Sequence, residues 1–449
     1  MCSITNTKVN IFHNGLKVIY EPAYNKFENT SVYLFCNVGS AFETEETHGF
    51  SHFIEHMCFK GTKKFPSYMQ LYKYIDETGA NLNASTTKRY TVYTMKCNNQ
   101  HLEIMLKIIS EMIFNSVFNK KEYNKEIQVV MEENYRDDDD NYNTVFELID
   151  EIIFKDTGYM CPIDSNKYHK KTPDIQRVKE FYRTFYKPHN MVLSISSALP
   201  YSSILRMVKK TQYWKAPAQP VTEMESRTVL YRQPAIYNAI QYKFKRVKNS
   251  DVVYVCIGFK TCSLFNKDRY TFRLLKNIMS GYFSALLPLN LREKNGLTYN
   301  SDISVDYYES TGYFVIDTVT EHSKLLHNGS KKGVLPTIIG LLSYLIAHGV
   351  DNKTFTKGKR NINGKMKMNM ENPNTQTNYN GEYLLTHNNM KDYVPYCKLY
   401  DVYIDKITTQ NIHDLIVRYF KQELMAVAVV AEKMNMSSIK QECEKIRVI

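Results

Sequence analysis

Residues 48–62 read HGFSHFIEHMCFKGT, and within them His52-Phe53-Ile54-Glu55-His56 sets two histidines and a glutamate at i, i+3 and i+4. On a helix these positions share one face. Two imidazoles one turn apart can grip a single zinc ion, and a catalytic zinc site keeps one position open for water. The metal acidifies that water, and an adjacent carboxylate can take its proton. Phe50, Phe53, Ile54 and Met57 form an apolar face for packing, so a helix is predicted from Gly49 to Lys60. The order H-x-x-E-H is the inverse of H-E-x-x-H and marks the inverzincins. The plain alternative is two surface histidines on an ordinary helix.

Outward from this helix, the N-terminal side reads as strands. Asn14-Gly15 stands between two β-rich runs, a hairpin signature, and the next strand is SVYLFCNVGSAF, residues 31–42. On the C-terminal side a helix is predicted over 67–78, stopped by Gly79, then a strand pair or long edge strand over 81–97. Helical spacing recurs over 101–115, 119–136, 143–155, 174–186 and 201–213, with a short buried strand at 190–197. Residues 215–234 hold three prolines without periodicity and read as a linker.

Beyond it come strands at 239–247 and 252–261, a helix near 267–285, and strands at 298–308 and 311–319. Helices at 334–349, from about 352 and at 409–421 follow, and a strand over 424–432 closes the pattern. Both halves run strands, helices, a strand, helices and a final strand. The expected fold class is therefore α+β, with two similar domains, each a mostly antiparallel mixed sheet packed with helices. The expected boundaries are 1–214, the linker 215–234, and 235–449.

The 449 residues are 43% apolar and 23% charged, which excludes a largely disordered, collagenous or multi-span membrane chain. The net charge of +12 invites a nucleic-acid reading, but the basic residues are dispersed and no helix-turn-helix, zinc-finger or RNP pattern occurs. No specific nucleic acid is therefore expected as partner. Nine cysteines without a CxxC pair fit reduced, buried thiols better than a disulfide framework. The most apolar window, Val334 to Val350, is interrupted by Pro336, Gly340, Ser343 and His348, and reads as a core helix rather than a membrane span. No leader-like segment is seen, so the expected location is intracellular, cytoplasmic before organelle or virion.

The helix and its flanks, GSAFETEETHGFSHFIEHMCFKGTKKFP, resemble the pitrilysin or insulinase family of zinc peptidases, in its half-length form with the β-subunit of the mitochondrial processing peptidase. GANLNASTTKRYTVYTMKC, YKPHNMVLSISS, LREKNGLTY and HGVDNKTFTKGKRNINGKMKMNMENP resemble further stretches of that family. The resemblance implies a processing-peptidase-like half clam, zinc as cofactor, His52 and His56 as ligands and Glu55 as general base. It implies a third ligand downstream, for which Glu133 is preferred and Glu132 is the fallback in KEIQVVMEENYRDDDD. Glu126, seven residues before Glu133 and on the same helix face, matches the family's supporting glutamate. Arg292 and Tyr299 match its Arg-x6-Tyr pair, donors to the substrate carbonyl. Asn83 and Ala84 match its substrate-edge strand, where an extended peptide adds as a further strand.

Two departures stand out. Arg89 replaces a Glu frequent after the edge-strand motif, with an expected effect on substrate charge preference. SGYFSALLP, residues 280–288, lacks the glycine-rich loop of the processing-peptidase α-subunit. The expected function is a zinc-dependent endopeptidase acting on peptides or unfolded polypeptide, working as a homodimer or as a heterodimer with a related subunit. The alternative is a non-catalytic scaffold, or one subunit of a hetero-oligomeric processing peptidase.

Overall fold

The computed structural model describes residues 6–23, 28–163, 173–215 and 231–446. The linker expected at 215–234 falls almost wholly outside them.

The first sheet is built from β1 (Lys8–Ile11), β2 (Lys17–Pro22), β3 (Asn29–Cys36), β4 (Asn81–Thr86), β5 (Thr91–Asn98) and β6 (Met191–Ser197). Its spatial order is β1-β2-β6-β3-β5-β4. Asn14 and Gly15 turn β1 into antiparallel β2, as the hairpin signature predicts. β2 and β6 run parallel, and the remaining pairs are antiparallel. β6 is buried along its whole length because both faces of the sheet are covered, so its burial is continuous rather than alternating, Ser194, Ser196 and Ser197 included. The segment expected to continue as strand to residue 42 leaves the sheet after Cys36 and forms a short 3-10 turn, Ser40–Phe42.

Helices α1 (Phe50–Cys58), α2 (Tyr68–Thr78), α3 (Leu102–Asn115) and α4 (Lys120–Asp139) follow the chain; after α5 (Asn141–Ile153) comes α6 (Ile175–Phe185). Phe53, Ile54 and Met57 of α1 share one apolar core with Ile109 of α3, Ile127 of α4, Phe181 of α6 and Leu34 of the sheet. The other face is covered by a helix the periodicity does not predict, Pro373–His387. Its Leu384 and Leu385 pack on Ile19, Phe35, Val92 and Val192.

The second sheet holds β7 (Gln241–Arg246), β8 (Val252–Thr261), β9 (Ser301–Tyr307), β10 (Gly312–Glu321) and β11 (Met425–Ala431), in the order β7-β11-β8-β10-β9. β7 and β11 are parallel; the other pairs are antiparallel. This order repeats β2-β6-β3-β5-β4, so the pattern-level duplication is a duplication of topology. The fold is α+β, two mixed sheets packed with helices. The helix expected near 267–285 stops at Ser280.

The packing units exchange segments relative to the chain. Described residues within 1–136, 162–227 and 366–399 form one unit, and those within 137–161, 228–365 and 400–449 form the other. Thus α5, which precedes the expected linker, packs on β7, β8 and β11, while the helix Pro373–His387, far beyond it, packs on β2, β3 and β6. Among the described residues no single helix is long and apolar enough to cross a membrane. The helix Val334–His348 buries Leu335, Ile338, Ile339, Leu342 and Leu345, as a core helix does.

Candidate metal centre

Gly49, in the left-handed region at φ 78°, turns the chain into α1. The Glu43 carboxylate accepts the amides of Gly49 (2.8 Å) and Ser51 (2.7 Å), satisfying the first turn and opposing its positive dipole end. Phe53 stacks edge-on against Tyr123 of α4, ring centroids 4.9 Å apart, which holds the two helices together.

On that frame three donors converge. His52 Nε2 and His56 Nε2 are 3.2 Å apart, Glu133 Oε2 is 3.5 Å from His56 Nε2, and it is 3.9 Å from His52 Nε2. Tetrahedral zinc with ligands at about 2.0–2.1 Å places its donor atoms roughly 3.3 Å from one another. The three residues thus fit such an ion, and their donor atoms all lie within 4.8 Å of one another. Glu132 is exposed and offers its carbonyl to Arg136, so Glu133 is the acid brought to the histidines.

The support is layered. His56 Nδ1 lies 2.8 Å from Glu126 Oε1, which leaves Nε2 for the centre, and Lys60 Nζ lies 2.6 Å from the other oxygen of Glu126. Burial pushes the Glu126 carboxyl up, but the His56 and Lys60 hydrogen bonds outweigh it and hold it below the usual carboxylate range. Glu55 is only 9% exposed. Its Oε2 accepts the Thr86 hydroxyl at 2.7 Å, a contact that sequence spacing does not reveal. Lys60 also escapes the motif: α1, expected to run to Lys60, ends at Cys58, and Lys60 lies two residues beyond it in the turn that follows. Burial pushes the Cys58 thiol on α1 up to about 12, so it stays protonated beside the site.

The family profile described as Insulinase (Peptidase family M16) matches residues 18–164, and the one described as Peptidase M16 inactive domain matches 174–362. The chain belongs to peptidase family M16.

Relatives within M16 differ in their stated roles. An uncharacterized zinc protease of Bacillus subtilis (strain 168) is 25% identical over 429 residues, covering 95% of this chain and 98% of that protein. The mitochondrial cytochrome b-c1 complex subunit 1 of Mus musculus is 24% identical over 286 residues, 62% of this chain and 56% of that protein. The crystal structure of a protease from Helicobacter pylori superposes with a TM-score of 0.85 at 19% identity, covering 95% of this chain and 99% of that one, and shows the shared M16 fold.

Arg292 and Tyr299 belong to the second packing unit. The Arg292 guanidinium sits 5.0 Å from the Tyr299 ring centroid, and Tyr299 is 85% exposed just before β9. Asn83 and Ala84 are on β4, the outer strand of the first sheet, where the Ala84 amide donates to Asn83 Oδ1 at 2.9 Å. Arg89, after the edge-strand motif, is held within the fold. It is 8% exposed, and its guanidinium bonds Glu382 (3.1 Å) and Thr386 (2.6 Å) on the helix Pro373–His387.

Proposed function

We propose that this M16 chain is a zinc-dependent endopeptidase for peptides or unfolded polypeptide segments. His52, His56 and Glu133 are the metal ligands and Glu55 is the general base. The observation that carries the reading is the set of three donors within 4.8 Å of one another, with Glu55 adjoining His56 on the same helix. Relatives named zinc proteases support it. Zinc, when bound, supplies an acidified water and a Lewis acid for the scissile carbonyl.

The chain's own residues do the rest. Glu55 takes a proton from the attacking water and returns it to the leaving amine. Glu126 accepts from His56 Nδ1 and so fixes the tautomer that offers Nε2 to the metal. An extended substrate adds to the free edge of β4 at Asn83 and Ala84, a mode that reads backbone and tolerates varied sequence. Arg292 and Tyr299 donate to the developing oxyanion. A second chain, identical or related, belongs to this reading, its Arg292–Tyr299 pair completing the site.

The test is mass-spectrometric mapping of cleavage in a peptide library, with the protein untreated, stripped by a chelator, and reloaded with zinc. Cleavage that disappears on stripping and returns with zinc is expected. Absence of any chelator-sensitive product removes the reading. Similarity to a cytochrome b-c1 subunit favours a second reading, a non-catalytic scaffold. Against that stands the complete set of His52, Glu55, His56 and Glu133.

A further inference from the structure

The edge strand β4 and the helix α1 are joined by one side chain whose role the M16 reading does not assign. Along β4 the residues alternate: Asn81, Asn83 and Ser85 are exposed, while Leu82 and Ala84 are half-buried and Thr86 is buried. Leu82 and Ala84 pack against the core cluster that contains Phe53, Ile54 and Met57 of α1. Thr86, the last residue of that inward row and 9% exposed, carries a hydroxyl instead, which donates to Glu55 Oε2 at 2.7 Å.

Thr86 is held by rigid surroundings. The turn that follows it closes through Thr87 N–H to Tyr90 O (2.9 Å) and Thr87 Oγ1 to Tyr90 O (2.8 Å). The carbonyls of Thr87 and Lys88 accept the amides of Ser40 (3.3 Å) and Ala41 (2.9 Å). Ser40 and Ala41 lead directly to Glu43, whose carboxylate caps α1. Arg89, in the same turn, is fastened to Glu382 and Thr386. The end of the substrate-edge strand and the start of the helix bearing Glu55 are thus braced by one short stretch of chain.

We infer that Thr86 is a positioning residue: its hydroxyl fixes the aim of the Glu55 carboxylate from the strand on which the substrate is seated. The inference rests on the proposed peptidase reading. One oxygen of Glu55 is engaged by Thr86, so the other is left for the attacking water. Because donor and substrate share β4, a peptide correctly added to that strand meets a base already oriented, without reorganisation at the moment of reaction.

The test compares Thr86→Val, which keeps the shape and removes the donor, with Thr86→Ser, which keeps the donor. Glu55→Gln is run alongside. In Thr86→Val, kcat falls about 10- to 100-fold, the loss expected of one hydrogen bond to a charged group, while KM stays within about twofold. Thr86→Ser restores kcat to within about threefold of the parent. Zinc affinity, measured by chelator competition, is the same in all three Thr86 forms. A crystal structure of metal-free Thr86→Val shows the Glu55 carboxylate turned from its place beside β4. Unchanged kcat in Thr86→Val, a loss that appears in KM, failure of Ser to rescue, or an unmoved Glu55 overturns the inference. If the parent and Glu55→Gln cleave equally, or neither cleaves, the peptidase reading itself has failed, and the position of Glu55 in metal-free Thr86→Val still decides whether Thr86 positions it.

Discussion

Glu55 and Glu133 are both glutamates near two histidines, yet their surroundings assign them different work. Glu55 is buried and bonded to a hydroxyl from β4, whereas Glu133 reaches the histidine nitrogens from α4. Glu55→Gln is therefore expected to keep stoichiometric zinc and to lose nearly all turnover, on the order of 1000-fold or more, when metal content and kcat are measured on the same preparation. Glu133→Gln is expected to weaken zinc by more than Glu132→Gln in chelator competition, because only Glu133 turns its carboxylate to the histidines; the reverse order moves the ligand to Glu132. Lys60 belongs to the same chain of contacts through Glu126. Lys60→Met removes the cation that, together with His56, offsets the burial cost of Glu126, so zinc affinity is expected to fall about 10-fold, within the range for loss of an outer partner. At this scale the motif was legible because helix spacing alone places His52, Glu55 and His56. The contacts of Thr86 and Lys60 were not legible, since their partners are chosen by where β4 and α4 come to rest.

The element that sequence reasoning missed, Pro373–His387, shows what periodicity cannot see. Asn372 caps it and Pro373 occupies its first turn, signals that were present. Its buried residues include Gln376, Thr377 and Asn380, so no apolar stripe announces the helix. The sheet meets it with polar groups: Ser194 Oγ donates to the Thr377 carbonyl at 2.7 Å, and Asn380 bonds Glu21. It also meets it very closely. A Cβ at Gly381 would lie 2.2 Å from the buried ring of Phe35 and 2.9 Å from Ser194 Cβ. Gly381→Ala is expected to destabilise by about 1–3 kcal/mol despite the better helix propensity of alanine, read as a lower denaturant midpoint. A pH-dependent case sits on β8. Burial pushes the Lys260 ammonium down to about 8 from its ordinary 10.5, while it bonds the Ala235 carbonyl and faces the Tyr237 ring. Between those values the unfolded chain binds the proton and the folded one releases it, so stability rises with pH across that window. The stability of the parent relative to Lys260→Met is expected to increase from pH 8 to pH 10; a flat difference contradicts the assignment.

For the whole molecule, duplicated topology was legible because both halves repeat the same order of strands and helices, but the exchange of α5 and Pro373–His387 between the units was not. Neither segment carries a mark of which sheet it will cover: each is an ordinary length of helix beside an ordinary loop. The same blindness applies to how a complete site is assembled, and there the proposed two-chain arrangement makes a quantitative claim. A chain carrying Glu55→Gln keeps a sound Arg292–Tyr299 pair, and one carrying Arg292→Ala keeps a sound metal side. If each site joins the metal side of one chain to the Arg292–Tyr299 pair of its partner, a mixed dimer of the two inactive variants contains one fully functional site and one doubly defective site. Random exchange makes half the dimers mixed, so an equal mixture recovers about one quarter of parental activity, provided a closed two-fold dimer forms. Analytical ultracentrifugation establishes the dimer, and subunit exchange followed by a peptidase assay reads the recovery. Activity that stays at the level of the separate variants places both halves of the site in the same chain, because then no pairing of the two defects can restore it.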